Sequence, residues 1–231
     1  PILCRPFEFG ADIVTHSTTK YMDGHAIIGG GVIVDSGNFN WNNGKVPEIT
    51  QPDESYHGLV YTEKYGKAAY ITKARMQLMR DFGCFPTAQD AFLLNLGLET
   101  LPLRIRKHCE NALAVAKYLE ASDKIESVNY PGLESSPDYK LIQKYCPEGA
   151  SGVVSVCVKG GKEKAAAFLD GLKLTKNCVH VADARCCVMH PASGTHRQLT
   201  DEQLVAAGVK PNLVRFSVGI ENIEDILEDI E

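Results

Sequence analysis

Apolar segments of strand length alternate with longer apolar stretches of helical period along this chain, and that alternation leaves an α/β or α+β organisation as the simplest architecture. No internal repeat or low-complexity tract interrupts it. Residues 10–14 read as a short buried strand and residues 17–20 as a polar turn. Residues 27–35 then give a glycine-rich entry, Gly-Gly-Gly-Val-Ile-Val-Asp, into a second buried strand. Lys20 therefore lies between two strands. Residues 38–61, with Asn, Gly and Pro throughout, read as an extended surface loop.

Helical periodicity resumes over residues 65–80 and again over 88–119, where Phe92, Leu96, Leu103, Leu113, Val115 and Leu119 mark apolar faces. Pro102 is expected to interrupt the second run, because it lacks the N–H of the helical ladder. Residues 125–130, 153–158, 186–189 and 213–218 are predicted strands, separated by helices at 162–172 and 201–207. They suit a smaller α/β layer domain. Asn222 and Asp225 resemble a capping box that opens a last helix, with Ile226, Leu227 and Ile230 as its apolar stripe.

With 231 residues, 44% of them hydrophobic and 23% charged, the chain has the composition of a folded globular protein. A formal net charge of -5 without any basic cluster argues against a nucleic-acid partner. No apolar run reaches the roughly 20 residues a membrane helix needs, and no signal-peptide pattern is visible. These features lead to a cytoplasmic reading, with no membrane partner. Pro1 opens directly into a compact-looking segment without capping or linker composition, as a chain that starts within a domain would. Cys4, Cys84, Cys109, Cys146, Cys157, Cys178, Cys186 and Cys187 lack CxxC spacing and mostly sit in apolar segments, so they are expected as reduced thiols.

Three groups of residues carry candidate chemistry. A carbonyl-type cofactor needs a primary amine that can lose its proton, and burial of a lysine between strands favours the neutral amine. Lys20 is placed for that role. Ser17 and Thr19, three and one residues before it, can turn their hydroxyls toward a phosphate, the combination that pyridoxal phosphate demands. The same turn also reads as an ordinary solvated one. Gly24 and the glycines at 29–31 lack GxxxxGK[ST] or GxGxxG spacing, so nucleotide binding is rejected. They fit a close backbone approach to a cofactor or a neighbouring subunit, or simply a turn.

Strand alternation in residues 213–218 puts Val214, Phe216 and Val218 on one face and Leu213, Arg215 and Ser217 on the other. An arginine held on a strand suits bidentate capture of a substrate carboxylate. A structural ion pair with a nearby acid fits the pattern equally. His180, His190 and His196 lack the i, i+4 spacing of a helical metal site, and Pro191 and Gly194 make a loop of the intervening segment. No metal is expected there. A hydrogen-bonded histidine in the 190–196 turn is the simpler assignment.

Taken together, Gly10-Ala11-Asp12-Ile13-Val14-Thr15-His16-Ser17-Thr18-Thr19-Lys20-Tyr21, residues 189–199 and residues 213–220 resemble the pyridoxal-phosphate enzymes of cysteine and methionine metabolism. The loop at 39–61, the sequence Arg104-Ile105-Arg106-Lys107-His108-Cys109-Glu110-Asn111-Ala112 and the stretch at 204–209 are similar to the O-acetylhomoserine sulfhydrylase branch. The resemblance implies fold type I, aspartate-aminotransferase-like α/β architecture. Residues 1–95 would be the C-terminal part of the cofactor-binding large domain, and 96–231 a small α/β C-terminal domain. It makes Lys20 the residue that holds pyridoxal 5'-phosphate covalently and shuttles protons, Ser17 and Thr19 phosphate ligands, and Arg215 the α-carboxylate anchor. His180 falls near that carboxylate, where relatives usually place Ser or Asn.

The implied reaction is a γ-replacement that converts O-acetylhomoserine and sulfide to homocysteine and acetate. A γ-lyase or a cystathionine synthase shares the same lysine and arginine, and a remnant that only binds partner subunits is the non-enzymatic alternative. The resemblance further implies a tetramer. In relatives, the aspartate that pairs with the pyridine nitrogen, the stacked aromatic ring and the phosphate loop all come from upstream of Pro1. The missing N-terminal part is therefore an expected partner.

Overall fold

The computed structural model describes residues 1–231. It divides into two compact units, the first made of Pro1–Cys4, Thr19–Ile28 and Leu94–Glu231, the second of Arg5–Thr18 and Gly29–Leu93. In chain order the regular elements are β1 (Ile13–Ser17), β2 (Gly31–Asp35), α1 (Pro47–Thr50), α2 (Tyr61–Tyr65), α3 (Ala69–Lys73), α4 (Arg80–Phe82), α5 (Ala88–Ala121), β3 (Ile125–Asn129), α6 (Tyr139–Tyr145), β4 (Val153–Val158), α7 (Gly161–Gly171), β5 (Lys176–Asn177), β6 (Cys187–Met189), α8 (Asp201–Ala206), β7 (Leu213–Ser217) and α9 (Ile223–Ile230). No helix is long and apolar enough to cross a membrane.

The first unit is built on a five-stranded sheet of order β3-β4-β7-β6-β5, antiparallel except for the β5–β6 pair. Val154, Val156, Val188, Val214 and Phe216 all point to one face, as the period of two requires, and none is more than 1% exposed. That face is covered by Ala112, Val115, Ala116 and Leu119 of α5, Ala165 and Leu169 of α7, and Ile226 and Ile230 of α9. The opposite face carries Arg215 paired with Ser155 on one side and Met189 on the other.

The predicted strands and helices of this unit are all present within one or two residues. Three features differ. Pro102 lies inside α5 without ending it. The helix persists because the buried stripe on both sides of the proline is anchored. Within the turn before it, the carbonyl of Gly97 accepts from Arg104 Nη2 at 2.6 Å and from Thr100 Oγ1 at 3.4 Å. Phe92, Leu96 and Leu103 are 61%, 45% and 72% exposed, so the buried stripe of α5 runs instead through Gly97, Leu101, Arg104, Ile105, His108, Asn111, Ala112 and Val115. The capping box stands at the start of α8, where Thr200 and Gln203 bond reciprocally. Asn222 caps α9 through the N–H of Glu224, without a return bond from Asp225.

In the second unit β1 and β2 pair antiparallel, Ile13 opposite Asp35 through Ser17 opposite Gly31. β1 starts three residues later than predicted because Pro6–Phe9 forms a 3-10 turn that Gly10 closes with φ +90°. Both strands are only partly covered, since a two-stranded sheet has neither flanking strands nor a second layer of its own. The predicted loop at 38–61 folds on itself. Ile49 and Tyr61 are buried with Ala69 of α3, and Trp41 stacks on Tyr70 with ring centroids 5.2 Å apart. Lys73 Nζ reaches Asp53 Oδ2 at 2.7 Å and lies 4.6 Å from the Tyr61 ring centre.

All eight cysteines are free thiols. Phe216, fully buried between strands and helices, is the test of the main core. Phe216→Ala is expected to lower stability by about 3–5 kcal/mol. Urea unfolding should show a lower midpoint at unchanged slope, and a midpoint equal to that of the unsubstituted chain would refute this account of the core.

Candidate functional site

Ser17 is the last residue of β1, and Thr19 and Lys20 follow in the turn that leaves it. Lys20 is half-buried, and its carbonyl is closed onto the N–H of Gly24 at 2.8 Å. Gly24 adopts φ +72°, a strained conformation for a residue with a Cβ, and a Cβ there would strike the Arg104 guanidinium, so glycine is favoured at the position. The turn is then tied down on three sides. Arg104 Nη1 donates to the Tyr21 carbonyl at 2.9 Å. The N–H of Gly152 donates to the Tyr21 hydroxyl at 3.0 Å. The N–H of Ala184 donates to the Gly24 carbonyl at 2.9 Å. Burial pushes the Tyr21 hydroxyl up to about 12, so it stays protonated.

Arg215 projects from β7 on the face opposite the core. Its Nη2 donates to the carbonyls of Val179 and His180 at 2.9 and 3.3 Å, in the loop between β5 and β6. Its Nε is buried and has no partner, and no carboxylate lies within ion-pair distance. The structural ion pair is therefore absent. Burial pushes the guanidinium pKa below its ordinary value, with Cys178 and Cys187 opposing. His180 is half-buried, and its Nε2 is enclosed without a partner. Two residues on, Ala182 is fully buried at φ +73° and donates its N–H to Ser217 Oγ at 2.7 Å. A non-glycine residue in that region carries a backbone cost of about 1–3 kcal/mol.

Arg215 and His180 thus touch, while Thr19 and Lys20 share one turn. No hydrogen bond or ion pair joins Lys20 to Arg215 or His180. Lys20, Thr19, Arg215 and His180 belong to the same compact unit. His190 is buried, with Nδ1 2.8 Å from Ser193 Oγ and Nε2 2.7 Å from the Pro211 carbonyl, the hydrogen-bonded role expected of it. Tyr21, Gly24, Arg104 and His108 escaped the sequence reading as parts of this arrangement. Their one visible signal is that Arg104 and His108 sit four residues apart on a helix face otherwise occupied by Leu101, Ile105 and Ala112.

Residues 1–231 match the family described as Cys/Met metabolism PLP-dependent enzyme. The chain is 48% identical to an O-acetyl-L-homoserine sulfhydrylase of Leptospira meyeri, over 100% of its own length and 54% of the relative's. It is 48% identical to a homocysteine synthase of Schizosaccharomyces pombe, over 98% of its length and 53% of the relative's. A crystal structure of a putative O-acetylhomoserine (thiol)-lyase from Campylobacter jejuni, which contains a pyridoxyl-lysine monophosphate, superimposes with a TM-score of 0.92 at 35% identity, covering 99% of this chain and 55% of that one. The fold is that of the fold type I, aspartate-aminotransferase-like enzymes. The chain spans about half the length of the curated relatives it matches.

His108 gives this region a pH dependence. Its ring is fully buried and Nδ1 donates to the Val218 carbonyl at 2.7 Å. Burial holds its pKa below the ordinary 6.5, against the opposing pull of the Val218 hydrogen bond, with Arg104 pushing the same way as burial and Asp183 opposing. The folded state thus prefers the neutral ring, so its contribution is fully present above 6.5 and is lost as pH falls from there through the folded value. Urea midpoints of the native chain should fall over that window more than those of His108→Gln. Parallel pH profiles for the two would show that the histidine does not titrate on unfolding.

Proposed function

Because the chain belongs to the Cys/Met metabolism family of pyridoxal-phosphate-dependent enzymes, we propose that it serves a γ-replacement in which O-acetylhomoserine and sulfide become homocysteine and acetate. The observation that carries this reading is the half-buried Arg215 guanidinium without a counter-ion, in the same compact unit as Lys20. A charge held out of water with an open donor calls for an anion from outside the chain.

The residues present fit the cofactor. The Lys20 amine makes no hydrogen bond or ion pair that would compete with covalent attachment. Ser17 is exposed at the end of β1, and Thr19 adjoins the lysine. In this reading Lys20 holds pyridoxal 5'-phosphate, while the Ser17 and Thr19 hydroxyls donate to its phosphate. When bound, the cofactor supplies the electron sink that makes Cα–H acidic. Lys20 takes and returns protons at Cα and Cβ of the substrate. Arg215 pairs with the α-carboxylate, its fork steadied by the Val179 and His180 carbonyls. The His180 imidazole, with its unpartnered Nε2, adds a polar contact beside that carboxylate. Acetate leaves from Cγ and sulfide takes its place.

The reading treats residues 1–95 as part of the cofactor-binding domain and 96–231 as the small domain. It has the protein working in the cytoplasm as a homotetramer, with the N-terminal part that its relatives carry. Support for the sulfhydrylase branch comes from the names of the relatives, since the lysine and arginine alone would serve a γ-lyase as well.

Borohydride reduction of the cofactor-loaded protein, followed by peptide mass mapping, should place the pyridoxyl adduct on Lys20, and an adduct found only elsewhere would overturn the assignment. In the same protein, Arg215→Lys keeps the charge but loses the fork. It should raise the concentration of O-acetylhomoserine needed for the half-maximal absorbance change of the bound cofactor by roughly tenfold to a hundredfold. An unchanged value would remove Arg215 from the site.

A further inference from the structure

One face of α5 carries a buried polar stripe. Arg104, His108 and Asn111, spaced i, i+4 and i+7, are 6%, 0% and 1% exposed. Polar groups are costly on a helix face that packs inward unless each is bonded. Here the acceptors are mostly main-chain carbonyls. Arg104 donates to Tyr21 and Gly97, and its Nε to Thr100 Oγ1 at 2.9 Å. His108 Nδ1 donates to Val218. Asn111 Nδ2 donates to Gly219 at 3.0 Å and Glu221 at 2.9 Å.

Apart from the helix's own turn, these partners fall in two short segments. Tyr21 directly follows Lys20, and Val218 stands three residues after Arg215. His108 touches both segments, since its ring also meets the Tyr21 ring edge-on at 5.1 Å. Close approach is built in from the other side. A Cβ on Gly97 would strike the carbonyls of Met22 and Asp23, just as one on Gly24 would strike Arg104. Apolar residues of equal volume would bury the same surface without direction, whereas hydrogen bonds to carbonyls fix the main chain along the helix axis.

We propose that Arg104, His108 and Asn111 are positioning residues which set the lysine that holds the cofactor against the arginine that holds the substrate carboxylate. The inference rests on the assignment of Lys20 and Arg215 above. It predicts a division along the stripe, because Arg104 grips the lysine segment and Asn111 the arginine segment. Misplacement of reacting groups by 1 Å can cost about a hundredfold in rate, so each end has a functional signature separate from stability.

The test uses the 231-residue chain loaded with pyridoxal phosphate, with two readouts. One is the cofactor concentration that gives half-maximal borohydride-stable adduct on Lys20. The other, at saturating cofactor, is the O-acetylhomoserine concentration that gives half the absorbance change. Arg104→Lys should raise the first about tenfold or more and the second less than about threefold, the scale of one lost charged hydrogen bond. Asn111→Leu should show the reverse. Arg104→Gln and Asn111→Ser, which each keep one donor, should show the same split at smaller size, with far-UV circular dichroism reporting the fold. Equal movement of both readouts in all four variants, or movement of neither, overturns the proposal and leaves the stripe a packing feature. If the unsubstituted chain forms its adduct away from Lys20, the assignment of the lysine falls, and this inference with it.

Discussion

A guanidinium taken out of water keeps its charge, and the hydration it gives up costs several kcal/mol unless its N–H groups find acceptors. Arg104 is 6% exposed, and burial pushes its pKa down while the charge of the buried Asp23 opposes that shift. Its own helix supplies the Gly97 carbonyl and the Thr100 hydroxyl, which leaves Nη1 to be satisfied from outside. The Tyr21 carbonyl does so. The position of the turn that carries Lys20 follows from that requirement, because the carbonyl is useful only if the chain comes within about 3 Å of the helix. Gly24 at positive φ and Gly97 at the point of contact are what that closeness asks of the sequence.

The five-stranded sheet divides its two faces by the same economy. The covered face takes Val154, Val156, Val188, Val214 and Phe216, which pack against three helices. The residues between them need no apolar partner, so polar groups can stand there at no cost to the core. Arg215 and Ser217 occupy that face, and both are used to hold the loop between β5 and β6. Arg215 bonds the carbonyls of residues 179 and 180, and Ser217 accepts the N–H of Ala182. The strained backbone at Ala182 is thereby fixed next to His180, and the loop keeps the guanidinium aimed while leaving its Nε free.

Elements with a local period were legible before any coordinates. β3, β4, β6, β7, α7 and α8 stand where alternation and helical spacing put them, because each side chain's direction is set within a few residues. The Lys20 turn and the face of Arg215 were legible for the same reason. What escaped depends on distant partners. Arg104 meets Tyr21 across 83 residues of sequence, and His108 meets Val218 across 110. Their spacing on an otherwise apolar helix face hints at burial, but no local pattern names the carbonyls they bond. Trp41 and Tyr70 are hidden in the same way, and their stacking turned an expected open loop into a small core. Pro102 stands within α5 because its local penalty, about 3 kcal/mol, is offset by the tertiary contacts on either side of it, which no local pattern shows.

An amino-acid substrate presents its carboxylate and the hydrogen on Cα a fixed few bonds apart. On the proposed roles of Lys20 and Arg215, the amine that removes the hydrogen and the guanidinium that holds the carboxylate must therefore be spaced to match, yet they cannot set that spacing by touching, since the substrate has to lie between them. A third element has to measure it. A long helix is suited to the task because its rise of 1.5 Å per residue is nearly invariant, and three side chains on one face of α5 convert that regularity into a spacing between two loops. Bonds to carbonyls rather than to side chains leave the spacing little dependent on the side chains in either loop, apart from Gly24 and Tyr21. Under that proposal, variation around Lys20 and Arg215, such as a histidine at position 180, changes what the site accepts without moving the two groups assigned to it.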